Sequence, residues 1–367
     1  MSIRVLHIIG SLRLGGAQTC LKSLVENIPA DKIETYIYPL RSRIVDIPIR
    51  ANLIKLPYHN YDPRKFLAIL RICKQYHIDI IHAHLEKAIL GSLLATFFHQ
   101  IPVVVHEHGP VFHKNWRQYV YRFGLRRLRK RARAYIAVSQ AAAHCLAQRT
   151  KIPQEDIRVI HNPVDLDLFK PDPQARERIR RQLNVNPDDV VVGFVGRLDH
   201  VKGPDLLIDA MSCISDQSRR YILVLIGDGP QRASLQRRAE QLGINDRIRF
   251  LGFCNNVSEL INAFDIGTVP SRAEAFGISA LEFMCMKIPV VCSGVGGLAE
   301  IASNEVTSLV VDQNTPSRIA HCLERLIHDQ TLRKKITAEA YRRRENFSVS
   351  KYVESIAQIY ADLLRNS

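Results

Sequence analysis

No stretch of this 367-residue chain approaches the ~20 consecutive apolar residues that a membrane-crossing helix needs. Residues 1–10 lack the basic, apolar and small-residue zones of a secretory leader, so the sequence leads us to expect a cytoplasmic protein. The eight cysteines, at 20, 73, 145, 213, 254, 285, 292 and 322, form no Cys-x-x-Cys pair. That argues against a zinc site and a disulfide framework, and leaves them as small buried apolar residues. Two nucleotide signatures also fail. HIIGSLRLGGAQ (7–18) spaces Gly10 and Gly15 like a phosphate-binding loop, but Gly16 and Ala17 follow where lysine and a hydroxyl residue should stand. Glycines at 10, 15 and 16 do not make a Gly-x-Gly-x-x-Gly turn either. What that stretch does have is an apolar strand, a Gly-Gly turn open to close backbone approach, and a helix from about Ala17 whose free N–H groups favour an anion.

Missing negative charge is the next signal. Residues 1–170 carry 26 Lys+Arg against 12 Asp+Glu, so nearly all of the net charge of +15 lies in the first half. Residues 113–133 (HKNWRQYVYRFGLRRLRKRAR) hold no carboxylate at all. They hold nine cations, Lys114, Arg117, Arg122, Arg126, Arg127, Arg129, Lys130, Arg131 and Arg133, interleaved with Trp116, Tyr119, Tyr121 and Phe123.

Strand-length apolar runs alternate with longer helical patterns: RVLHIIG, IDIIHAH (78–84), PVVVHEH (102–108), AYIAVS (134–139) and IRVIHN (157–162). A polar stretch with Pro163, Pro171, Pro173 and Pro187 interrupts them. The pattern restarts at DVVVGFVGR (189–197) and continues through YILVLIGDG, RIRFLGF, IGTVPS, IPVVCSG and SLVVD. Such alternation predicts parallel sheets covered by helices, here two doubly wound α/β domains in series with ligands beyond the carboxyl ends of the strands.

Two of those strand ends carry the chemistry. GRLDHVKG places Arg197 and Lys202 on one loop, a pair of cations suited to a diphosphate. PSRAEAFGISALE places Glu274 just before a helix expected from about Gly277 and Glu282 inside it, so the two carboxylates face different parts of one elongated ligand.

In chain order, GGAQ, the strand ending in HEH, VSQ (138–140), VIHNPVD (159–165), GR with KG (196–203), GDGP, LGF, PSRAEAFGISALEF and GGLAEI resemble the retaining glycosyltransferases of family 4. The resemblance spans the whole chain. It implies the GT-B fold, two Rossmann-like doubly wound domains facing each other across a cleft. We expect an acceptor-side domain over 1–170, a nucleotide-sugar donor domain over 171–346, and a terminal helix (347–367) packing back on the first domain.

By the same resemblance Arg197 and Lys202 hold the donor diphosphate, Glu274 binds hydroxyls of the transferred sugar, and Glu282 accepts from the ribose. N–H groups around Phe276, Gly277 and Ile278 touch a phosphate, and Gly15 and Gly16 face the diphosphate. His108 takes the place of the family's active-site histidine, with His106 and Glu107 as competitors, because HEH departs from the usual Thr-x-His. Pro163 stands where many members have glycine. Asp165-Leu-Asp167 has the Asp-x-Asp spacing of metal-dependent transferases, but it falls in the hinge, and the cationic loop already neutralises a diphosphate. We therefore expect no metal and no cofactor beyond the nucleotide-sugar co-substrate.

The basic segment leads us to expect docking on an anionic membrane, at the inner face of the plasma membrane, with a lipid-linked or envelope glycan acceptor. No nucleic-acid motif accompanies the charge. Two other readings stay open: a nucleotide-sugar epimerase on the same plan, which the Glu274 and Glu282 motif disfavours, and a polyanion-binding paralogue without activity. The second should have lost some of Arg197, Lys202, Glu274 and Glu282, and all four are present.

Overall fold

The computed structural model describes residues 2–13, 15–41, 48–56, 62, 64–109, 116–216 and 218–365, with the side chains of 116–118 also outside the description. The chain divides into two compact units, Met1–Pro163 with Val349–Ser367, and Val164–Ser348.

In the first unit, strands β1 (Ile3–Ile9), β2 (Ile33–Pro39), β3 (Asn52–Leu53), β4 (Ile80–His84), β5 (Val103–Glu107), β6 (Ala134–Ala137) and β7 (Ile157–Val159) form one sheet. All neighbours are parallel, in the order β3-β2-β1-β4-β5-β6-β7. Helices α1 (Gly16–Asn27), α2 (Arg64–Gln75), α3 (Glu86–Ala95), α4 (Trp116–Leu128) and α5 (Gln140–Thr150) make the crossovers. The sequence pattern finds five of the seven strands. β2 escapes because Glu34 and Thr35 break its apolar run, and β3 is two residues long, too short to show a period.

The second unit holds β8 (Val190–Val195), β9 (Tyr221–Ile226), β10 (Ile248–Gly252), β11 (Ile266–Val269), β12 (Val290–Ser293) and β13 (Leu309–Val311). They pair in parallel as β10-β9-β8-β11-β12-β13. This is the doubly wound order, which reverses direction between β8 and β11. Its helices are α6 (Pro173–Gln182), α7 (Pro204–Cys213), α8 (Arg232–Gln241), α9 (Val257–Leu260), α10 (Ile278–Cys285), α11 (Pro316–His328) and α12 (Gln330–Arg343). The proline-punctuated stretch is thus not all linker. Pro173 opens α6, and the Asp172 carboxylate caps it through the N–H groups of Gln174 and Ala175. Arg180 of α6 is buried and anchors the helix to the sheet, donating to Asp265 and to the carbonyls of Ala263, Asn186 and Asp189. Val190, Val192 and Phe194 of β8 meet Leu207, Leu323 and Leu326 of α7 and α11 in the core.

The last helix, α13 (Val349–Arg365), belongs to the first unit and packs on α1. It buries Tyr352, Val353, Ile356, Ile359 and Tyr360, an apolar stripe at helical spacing. Of the cysteines, Cys20, Cys73, Cys285 and Cys292 are buried, whereas Cys213 is exposed at the end of α7.

Candidate functional site

In the second unit the loops after β8 and β11 interlock. Arg272 N donates to Val201 O at 2.8 Å, and the Arg272 guanidinium forks onto Asp205. That brings Lys202 to Glu274, and Lys202 Nζ lies 3.0 and 2.7 Å from the two carboxylate oxygens. Glu274 is buried, and the Ser271 hydroxyl donates to it as well, at 3.0 Å. Asp199, also buried, ion-pairs with Arg197 and accepts from Lys202 N at 3.0 Å. The two cations that the sequence assigns to phosphate are therefore each matched by a carboxylate. Asp199 and Ser271 join this cluster although the sequence does not single them out, each lying within three positions of a residue that it does.

Glycine geometry aims the loop after β11. Gly277 caps α10 at φ +102°, and Ile278 is the first helical residue, so the helix starts one position beyond the expected Gly277. The first N–H groups of a helix have no intrahelical partner and form an anion-binding end. Phe276 is buried, with its ring centroid 5.8 Å from that of Phe347. Gly296 has φ +57°, and a Cβ there would lie 2.1 Å from the carbonyl oxygen of Glu274. The Gly-Gly turn of GGLAEI lets backbone press on the segment carrying Glu274, and Gly297 N donates to that same carbonyl at 3.1 Å. Glu282 sits half-buried inside α10, and burial pushes its carboxyl up to about 7. Asp165, in the rejected Asp-x-Asp pattern, accepts from the N–H groups of Asp167 and Leu168 at 2.9 Å, and Asp167 pairs with Lys170.

In the first unit Gly15 is the extended residue before α1, and Gly16 is the first residue of the helix. A Cβ on Gly15 would meet Gln18 Oε1 at 2.8 Å, while the Gln18 amide donates to Ser11 O. Leu14 lies outside the described residues.

The three candidates in HEH separate cleanly. His106 is fully buried, and Glu107 points to the other face of β5, where the Tyr121 hydroxyl donates to it at 3.3 Å and burial pushes its carboxyl up to about 7. Only His108 of the three is half-exposed. Its Nε2 meets His84 Nδ1 at 2.9 Å, and His84 Nε2 meets His7 Nδ1 at 3.2 Å. A parallel line joins His106 Nδ1 to His82 Nε2 at 3.2 Å and His82 Nδ1 to Tyr360 Oη at 2.5 Å. Parallel register explains this. His7 is opposite His82, His84 is opposite His106, and residues two apart on a strand share a face. Burial lowers the pKa of His82, His84 and His106 well below 6.5, so all three rings are neutral at pH 7. His7, His82, His84 and Tyr360 are missed by sequence reasoning. The two His-x-His pairs are visible, but their meeting depends on register.

The basic segment folds into α4 and a short turn at Arg129–Arg131. Tyr121 and Leu125 face inward, while Phe123 is 62% exposed and Tyr119 and Val120 are also exposed. Phe97 and Phe98 follow α3, which packs on α4, and Phe98 is 78% exposed. Guanidinium groups cover the rings: Arg131 lies 3.4 Å from the Phe97 centroid, Arg127 5.0 Å from Phe123, and Arg122 5.9 Å from Tyr119. Arg126, Lys130 and Arg133 are exposed, and Arg129 is half-buried. Lys114 and the side chain of Arg117 lie outside the described residues. Among the described residues, no helix is long and apolar enough to cross a membrane.

Two family models match in tandem, one described as Glycosyltransferase Family 4 over residues 14–168 and one described as Glycosyl transferases group 1 over residues 175–343. An uncharacterized glycosyltransferase of Methanocaldococcus jannaschii is 35% identical over 209 residues, 56% of this chain and 53% of that protein. The 2-deoxystreptamine glucosyltransferase of Streptomyces kanamyceticus is 28% identical over 278 residues, 71% of each chain. The chain thus matches about half the length of the first of these relatives. Among solved structures, Anabaena Alr3699/HepE in complex with UDP-glucose superposes with a TM-score of 0.82 at 25% identity, covering 98% of this chain and 100% of that one.

Proposed function

The chain belongs to the group 1 glycosyltransferases of family 4, with the GT-B fold, and from that premise we propose that it moves a sugar from a nucleotide diphosphate donor to a hydroxyl. The observation that carries this is the Lys202–Glu274 pair on interlocked strand-end loops, beside Arg197–Asp199 and the N-terminus of α10. A UDP- or GDP-sugar is the donor we favour, and the likeness to a protein solved with UDP-glucose supports UDP.

In this reading the bond between the anomeric carbon and the phosphate oxygen breaks with its electron pair going to the diphosphate. Arg197, Lys202 and the first N–H groups of α10, at Gly277 and Ile278, meet the charge that builds there. A cationic loop of this kind needs no divalent ion at the diphosphate. Glu274 accepts from hydroxyls of the transferred sugar and Glu282 from the ribose. The acceptor hydroxyl adds to the anomeric carbon on the face that the diphosphate leaves, its proton passing to a leaving phosphate oxygen, so configuration is retained. Gly15, Gly16 and His108 serve the acceptor-side unit.

The aromatic and cationic surface of α3 and α4 supports docking on anionic lipid, at the inner face of the plasma membrane, and hence a lipid-linked or envelope glycan acceptor. The chain is tested by thermal shift across nucleotide sugars, since a ligand that binds only the native state raises the midpoint with its concentration. The stabilising donor is then incubated with and without acceptor. Release of nucleoside diphosphate with a new glycoside supports transfer, and a sugar isomer formed from donor alone would make the chain an epimerase. Arg197→Ala and Lys202→Ala each lower turnover about a hundredfold or more, and near-normal turnover in both would remove the site assignment.

A further inference from the structure

We propose that His84, His106 and His108 form a binding site for a divalent transition-metal ion of the zinc class within the N-terminal unit, an ion there also fixing the ring of His108, the residue given above to the acceptor side. One nitrogen from each of the three lies within 4.8 Å of the other two. The sheet enforces this, because His84 is opposite His106 across the β4–β5 pair, and His108, two residues on, shares the face. The His106 and His108 rings stack with centroids 4.1 Å apart. His84 Nδ1 and His108 Nε2 point at each other over 2.9 Å. Tetrahedral nitrogens at about 2.0–2.1 Å from a zinc ion stand ~3.3 Å apart, so the ion needs an opening of a few tenths of an ångström.

The second nitrogens of the two fully buried ligands are already held. His84 Nε2 is engaged with His7 Nδ1 at 3.2 Å, and His106 Nδ1 with His82 Nε2 at 3.2 Å, which in turn meets Tyr360 Oη. Metal-bound imidazoles characteristically use the outer nitrogen this way, which fixes ring orientation. The nitrogen this leaves on His106, Nε2, is buried and has no hydrogen-bond partner. A buried polar atom in that state is unfavourable, and coordination relieves it.

His7, His82 and His84 also bring nitrogens together, but all three residues are fully buried. The chosen trio holds one half-exposed member, His108, and an ion on three imidazoles keeps a fourth position for water. Three imidazoles without a thiolate or carboxylate suit Zn²⁺, Co²⁺, Ni²⁺ or Cu²⁺ rather than Mg²⁺ or Ca²⁺. The cysteine spacing that argues against a cysteine zinc site is silent on histidines.

The full chain, stripped with chelator, is titrated with Zn²⁺ and with Co²⁺ near neutral pH, where deprotonated ligands favour binding. We expect one ion per chain with a micromolar or tighter Kd, visible Co²⁺ absorption of a four-coordinate site, and an unfolding midpoint that rises with free metal. His106→Gln should weaken binding about a hundredfold or more, at or beyond the usual effect of altering a supporting residue. Should that variant not fold, the paramagnetically shifted imidazole resonances of the cobalt-loaded native chain count the coordinated histidines, and three support the site. Absence of binding, equal affinity in His106→Gln, or no shifted imidazole resonance overturns it.

Discussion

Lys202 Nζ is bonded to both oxygens of the Glu274 carboxylate, at 2.7 and 3.0 Å, across 72 positions of chain. In the proposed reaction the two have different partners, Lys202 the diphosphate and Glu274 the sugar. The pair must therefore loosen when donor binds, and Glu274 competes with phosphate for the ammonium. Glu274→Ala should leave affinity for a free nucleoside diphosphate unchanged or raise it severalfold, while turnover falls about a hundredfold. Calorimetry of the variant with UDP, beside its initial rates, checks both. A loss of nucleoside diphosphate affinity as large as that in Lys202→Ala would mean that Glu274 binds the nucleotide rather than the sugar.

The raised pKa of Glu282 makes stability fall as pH rises. An unfolded glutamate ionises near its reference value of about 4.3, whereas burial pushes Glu282 up to about 7. Between those values the folded state holds a proton that the unfolded state has lost, so the penalty for the buried charge begins as pH passes the lower value and is complete above the higher. Each unit is worth about 1.4 kcal/mol. Solvent reaching the half-buried carboxyl takes part of that, so we expect about 2 kcal/mol. Glu282→Gln should remove this slope, so that wild type loses about 2 kcal/mol against the variant between roughly pH 4.5 and 8 in denaturant unfolding. Parallel curves for the two proteins would show that Glu282 is not desolvated.

The strand ends could be read from residues alone because buried parallel strands are continuous apolar runs, and the polar residues that follow stand out against them. Arg197, Lys202, Glu274 and Glu282 were visible in this way. Their pairing was not, because a linear pattern cannot show that the loop after β8 reaches the loop after β11. The histidine cluster shows the same limit. His82–His84 and His106–His108 each read as a strand pair, but their meeting depends on register, and the stack is completed by His7 from β1 and Tyr360 from α13. β2 is not legible because Glu34 and Thr35 interrupt its apolar residues and leave only Tyr36–Tyr38 before Pro39.

Gly296 should tolerate no side chain. At φ +57° a Cβ would stand 2.1 Å from the Glu274 carbonyl oxygen, a backbone atom that cannot turn aside. Gly296→Ala should cost about 1–3 kcal/mol through strained backbone and displace the Glu274 segment. The expected kinetic signature is a drop in kcat of at least tenfold in the fraction that remains folded, measured below the variant's midpoint. Unchanged kcat would mean that the loop absorbs the methyl without moving the carboxylate.

The membrane prediction rests on the α3–α4 surface, where exposed Phe98 and Phe123 lie among exposed arginines. If this face docks on anionic lipid, vesicle binding rises with anionic fraction and falls with salt, because surface attraction is screened beyond about 8 Å at physiological ionic strength. Arg126, Arg127, Arg129 and Lys130 changed together to Gln remove four charges, worth on the order of 4 kcal/mol at most. Arg129 also donates to Arg126 O at 2.7 Å, a bond within the turn, so the variant's far-UV spectrum is compared first. Phe98→Ser removes an apolar contact instead of charge and should weaken binding without changing its salt dependence. Both variants should turn over a short soluble acceptor normally, since none of these residues is assigned to the donor loops. Salt-insensitive vesicle binding, or binding unaltered in the four-charge variant, would return α4 to an ordinary solvated helix and remove the membrane argument for a lipid-linked acceptor.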